Sequence, residues 1–292
     1  MSRLLRPSLT VVAVMFLLAG GPPLAGKLGE KTALVTVVAE AGTPVLDLAV
    51  KDFIVKEDGK KREVLSVKVA DDLLSVALLV DTAKPAMGAE FPTRDLRTAT
   101  AAFVTSVHAV NPDAGIALWQ VAGAATVTVD FTNKGDDLQR AIARLYPDQQ
   151  SAAVMLEALD AAAKKLATRP APRRALVSVD FNSPEGSTDR MVQQSADSIT
   201  KSGATFWAIS VRGTGPSNAN REEVLDKLTR SNGGRRFSSI DGTGLEANLK
   251  KLAATLASQY VVTFTSPSDS PAKATAFETT RGVKVLATPF MR

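Results

Sequence analysis

Cysteine is absent from this sequence and histidine occurs once. The first absence excludes disulfides, cysteine nucleophiles, zinc-thiolate sites and a lipid-modified cysteine behind an export leader. Stability therefore has to come from packing. The second leaves His108 as the sole imidazole, on a predicted helix away from the strand ends, so neither a Ser-His-Asp centre nor a histidine-metal site finds its base or ligands. Aromatic residues make up only 5% of the chain, too few for the platforms usual in sugar-cleaving enzymes. No Gly-x-Ser-x-Gly elbow and no phosphate-cradling glycine loop follows a predicted strand, which leaves nucleotide chemistry unsupported.

What is present is ordinary globular material: 292 residues, 45% hydrophobic and 22% charged. That is enough for one large domain and a small companion. The first 25 residues read as a cleaved export signal, with Arg3 and Arg6 ahead of the apolar run 11–19 and the breakers "GGPPLAG". The run falls short of the roughly 20 residues of a membrane span, so no membrane insertion is expected after cleavage, and the location is periplasmic or secreted. The formal charge of +5 approaches balance once the two leader arginines are removed. The basic groups "KKR" (60–62), "RR" (173–174) and "GGRR" (233–236) lack interleaved aromatics, so they read as solvated loops and strand edges, not as a nucleic-acid surface.

Hydrophobic rhythm divides the remainder. Residues 32–71 alternate like short strands, and "EDGK" between two such runs predicts a hairpin. From 72 to 265 strands alternate with helical stretches, which predicts an α/β fold: a doubly wound, mostly parallel sheet with helices on both faces. The near-continuous apolar run "LLSVALLVD" suits a strand buried on both sides. "AGIALWQVA" and "ATVTVDFT" are expected to form its one antiparallel pair, and "QYVVTFT" to complete the series. Helices are predicted at 93–110, 135–145, 152–167, 188–202, 221–231 and 245–258. The stretch 266–292 reads as a polar linker and a β tail belonging to the small β layer.

In "LDLAVKDFIVKEDGKKREV", "LLVDTAKPAM", "VMLEALDAAAKKL", "ALVSVDF" and "SQYVVTF" the chain resembles the von Willebrand factor type A (VWA) domain, in particular secreted bacterial VWFA-related proteins with a short β extension. The resemblance covers roughly residues 33–265. It implies a protein-binding module with a metal-ion-dependent adhesion site at the carboxyl ends of the strands. There, Asp-x-Ser-x-Ser, a distant threonine and a later aspartate surround a hard cation that prefers six oxygens.

Matched to that pattern, Asp81 is present, but Ala83 and Pro85 hold the serine positions and Ala153 aligns near the threonine. Asp180 keeps the later aspartate. Three hydroxyl ligands are lost, so neither metal nor cofactor is expected. The degenerate face would comprise Asp81, Thr82, Lys84, Ser151 and Asp180, and it would meet a protein partner without catalysis. Lys84 has two readings, as a fixed ammonium beside Asp81 and Asp180 or as a solvated side chain. Two alternatives stay open: a metal-dependent adhesin using substitute oxygens from Thr82 and Ser151, and a hydrolase using Asp81 and Asp180 as an acid/base couple.

Overall fold

A computed structural model describes residues 28–85, 89, 93–267 and 272–291; the expected export signal lies outside them. The large sheet has six strands: β5 (Leu74–Asp81), β6 (Gly115–Val121), β7 (Ala125–Thr132), β8 (Arg173–Asp180), β9 (Thr205–Val211) and β10 (Arg236–Ser239). Their order is β10-β9-β8-β5-β6-β7, and every pair is parallel except β6 with β7. That antiparallel pair is the one the sequence predicts, turning at Gly123. Every residue of β5 and β9 is buried, which explains their near-continuous apolar character.

Six helices cover the two faces. On one side α1 (Thr93–Val110), α2 (Gly135–Ala143) and α6 (Leu245–Ala257) enclose a core holding Val76, Leu78, Phe103, Val177 and Trp207. On the other, α3 (Met155–Ala167), α4 (Arg190–Ser202) and α5 (Ala219–Ser231) pack on Leu79, Trp119, Leu176 and Phe206. Along α1, Leu96, Ala99, Phe103 and Val107 are buried at the three- and four-residue spacing legible in the sequence. Observed helices agree with predicted ones to within a few residues at their ends.

The remaining strands build an accessory layer. β1 (Leu28–Val38), β4 (Val64–Val69), β11 (Tyr260–Pro267) and β13 (Lys284–Met291) form one sheet in the order β13-β1-β11-β4. β2 (Phe53–Glu57), β3 (Lys60–Arg62) and β12 (Thr275–Thr279) form a second, ordered β12-β2-β3. Asp58 and Gly59 join β2 to β3 with φ of 47° and 78°, the left-handed pair that a tight two-residue hairpin turn demands. Here the structure differs from one expectation. The strand at "QYVVTFT" does not complete the large sheet; as β11 it crosses into the accessory sheet between β1 and β4. Its burial alternates residue by residue, the mark of an antiparallel strand with one covered face.

Two buried charged residues bind the accessory layer together and to the large sheet. Glu57 accepts from Lys31 at 2.8 Å, from Arg62 at 2.9 Å and from the Ser266 hydroxyl, joining strands of both small sheets. Arg173, at the start of β8, donates to the carbonyls of Ala70, Asp72 and Leu256 and to the Gln259 side chain. Arg173 is thus buried and the Arg236 side chain largely covered, contrary to the solvated role read from "RR" and "GGRR". A guanidinium with its apolar stem can be enclosed when carbonyls or carboxylates take up its donors.

Candidate functional site

The site lies where β5 and β8, adjacent at the centre of the sheet, end in Asp81 and Asp180. Open α/β sheets bind ligands beyond these carboxyl ends, where loops diverge. Both aspartates are 1% exposed. Asp81 has both oxygens engaged: Oδ1 accepts from the Ala83 N–H at 3.0 Å and Oδ2 from the Phe181 N–H at 3.2 Å. Burial and the neighbouring Asp180 charge push its carboxyl up from 3.8 to about 6, while Arg221, Ser183 and the Phe181 N–H oppose the rise.

The two hydroxyl residues among the expected site residues are already occupied. Thr82, buried, gives its Oγ1 proton to the Val121 carbonyl at 3.3 Å. Ser151 donates to Asp148 at 2.7 Å and accepts from the Gly123 N–H at 2.9 Å. Its carbonyl also receives the Lys84 N–H at 3.3 Å, so Ser151 staples the 82–85 loop to the 146–151 loop. Ala153 is fully buried beside the Glu185 backbone and, like Ala83, offers no side-chain oxygen. The Lys84 side chain is exposed and, among the described residues, makes no ion pair with Asp81 or Asp180.

The cation beside the acids is one the sequence reading missed. Arg221, in the first turn of α5, is 0% exposed. Its Nε lies 3.5 Å from Asp180, its Nη1 3.6 Å from Glu185, and its Nη2 donates to Asn182 Oδ1 at 3.2 Å. Its own N–H is held by the Asn218 side chain at 3.0 Å, the cap that starts α5. Arg236 stands 4.0 Å from the other Asp180 oxygen but is gripped more closely by Glu222, at 2.7 and 2.8 Å, and by Asp226 at 3.0 Å.

Asn182 is the hub of this cluster. It adopts a left-handed φ of 53°, which asparagine tolerates better than most residues, and its N–H caps Asp180 at 3.1 Å. Its amide donates to the Arg212 carbonyl at 2.9 Å, tying the loop after β9 to the loop after β8. Glu185 is raised above its ordinary value by burial, with Ser187 and Arg221 pulling the other way. One sequence signal pointed to Arg221. It occupies the same helical stripe as Val224, Leu225 and Leu228, so the amphipathic pattern of α5 places a charge on the covered face.

A doubly wound sheet with buried acids at the ends of two central parallel strands defines an α/β domain of the edge-binding class. The von Willebrand factor type A domain profile matches residues 75–267, and the chain belongs to that family. A search of curated proteins finds no sequence match. Among solved structures, the chain is similar to the PilB minor pilin from Streptococcus sanguinis, at 12% identity and a TM-score of 0.52, over 64% of this chain and 62% of that one. It is also similar to the vWF domain of the type V pili tip protein Mfa5 from Porphyromonas gingivalis, with 12% identity, a TM-score of 0.49 and coverage of 63% and 95%. A third is a von Willebrand factor type A protein from Catenulispora acidiphila, with 14% identity, a TM-score of 0.49 and coverage of 77% and 50%. The chain thus spans 62% of the pilin's length, and at these identities the likeness is one of fold.

Proposed function

We propose that this protein is an exported, noncatalytic interaction module of the VWA type, whose carboxyl-end face binds a protein partner without a divalent cation. One observation carries the reading: Ala83, Pro85 and Ala153 stand where the family supplies hydroxyl ligands, while the buried guanidinium of Arg221 lies 3.5 Å from Asp180. A small hard ion gives up its waters only to a well-shaped set of oxygens. Here the Thr82 and Ser151 hydroxyls are engaged with the protein, and both Asp81 oxygens already accept backbone N–H groups. The residues present do not fit the ion.

Contact falls instead to what the face displays. Tyr146 is 62% exposed beside the 82–85 loop, and Ile240, just past the carboxyl end of β10, is 73% exposed. Lys84 is exposed on the loop after β5. An aromatic ring ringed by polar loops is the usual anchor of a protein contact. Export is inferred from Arg3, Arg6 and the apolar run that follows. Among the described residues, no helix is long and apolar enough to cross a membrane.

The test is capture from the source cell on immobilised protein, with and without a chelator, beside a Tyr146→Ala control. Recovery of the same partner in both conditions, weakened by Tyr146→Ala, is the expected result. A partner released by chelator would sink the metal-free reading.

A further inference from the structure

We propose that Arg221 is the resident cation of this face, a guanidinium built into α5 that holds the Asp81, Asp180 and Glu185 carboxylates together and makes the face constitutive, not ion-gated. The inference rests on the metal-free reading above and names the group that makes it work.

An arginine in the first turn of a helix faces the positive end of the helix dipole, an unfavourable place for a cation. Enclosing it fully adds the loss of hydration. Arg221 bears both penalties, with 0% exposure at the start of α5, so its position needs compensation from nearby anions. That compensation surrounds it: Asp180 at 3.5 Å, Glu185 at 3.6 Å and the Asn182 side-chain Oδ1 at 3.2 Å, with Asp81 within reach of its charge. Conversely, the three acids lie buried at two strand ends and in the loop after β8, where mutual repulsion would open the loops if nothing positive lay among them. Arg236 cannot take that part, because Glu222 and Asp226 hold it more closely than Asp180 does.

Several polar atoms in the cluster, Arg221 Nε and Nη1, Glu185 Oε2 and the Ser183 hydroxyl, are buried without a hydrogen bond of normal geometry. Charge attraction across 3.5 to 3.6 Å, and not a saturated hydrogen-bond net, is therefore what holds the guanidinium. A guanidinium does not lose its proton in proteins, so it cannot step aside for a metal as pH changes. Any divalent ion approaching Asp81 and Asp180 meets this fixed positive charge.

The experiment measures melting temperature in chelator and in millimolar Mg2+, Mn2+ or Ca2+ for the full chain, Arg221→Met, Asp180→Asn and the double variant. The natural chain is expected to ignore the ions. Arg221→Met should lose on the order of 10 °C, as for a buried charge stripped of its partner, and regain part of it with divalent ions, which then serve the freed carboxylates. Asp180→Asn with Arg221→Met should lose less than the two single losses combined, since each single change strands the other charge. Should Arg221→Met not fold, the double variant decides: a folded double variant supports the assignment and an unfolded one overturns it. Strict additivity together with an ion-blind Arg221→Met overturns the role of Arg221 while leaving the metal-free reading intact. A natural chain stabilised by the ions overturns both.

Discussion

Asp81 carries an acid into a buried place, beside a second acid and a guanidinium, and its proton affinity follows from that crowding. Its folded value, about 6, lies above the unfolded 3.8, so the folded chain holds this proton more tightly than the unfolded one does. The stability this group contributes is fully present below about pH 4 and is lost as pH rises through about 6. Relative to Asp81→Asn, the natural chain should lose on the order of 3 kcal/mol between pH 4 and pH 7. Urea titrations of both chains at each pH measure the difference; parallel curves would refute it. Asp52, Glu57 and Asp160, whose carboxyls are held below their ordinary values, act in the opposite direction but are common to both chains and cancel. At this scale the sequence was half legible. Asp81 and Asp180 were visible as letters in a motif, whereas the neighbouring guanidinium came from Arg221, more than a hundred positions beyond Asp81. Lys84 was the nearer cation in sequence and is the farther one in role, because its loop turns its side chain to solvent.

Among the elements, the strands and helices of the large sheet announced themselves through period, and β11 shows where period was underused. "YVVTFTSP" alternates covered and half-covered positions, and that two-residue rhythm marked it for the accessory sheet all along. The join between the layers was harder to see, since it depends on Arg173, whose letters resemble a solvated pair. Arg173 gathers the carbonyls that end β4, precede β5 and end α6. Arg173→Met should therefore lower stability by about 3 kcal/mol, leaving buried carbonyls without donors. Amide exchange should rise first in β4 and β11, the strands that Arg173 anchors. Uniform acceleration across the large sheet would argue against a role in the join.

For the molecule as a whole, the accessory layer completes the large domain. β11 follows α6 after two residues, yet both of its hydrogen-bonding neighbours, β1 and β4, come from the first part of the chain. Its covered face, with Tyr260, Val262 and Phe264, packs on Ala33, Val35, Val37 and Val55. Removing residues 28–71 should leave that face open and give a protein that aggregates or binds a hydrophobic dye, even though the six-stranded sheet keeps all its strands. A monomeric truncated chain with unchanged melting would show that the large sheet stands alone.

The pairing of β1 with β11 and β13 also dictates an order of events during synthesis. The first described strand leaves the ribosome long before its two neighbours exist, with Val35 and Val37 uncovered for that whole interval. Folding of this layer therefore waits until β11 and β13 have been made, and β1 is the segment a nascent-chain chaperone would have to shield in the meantime.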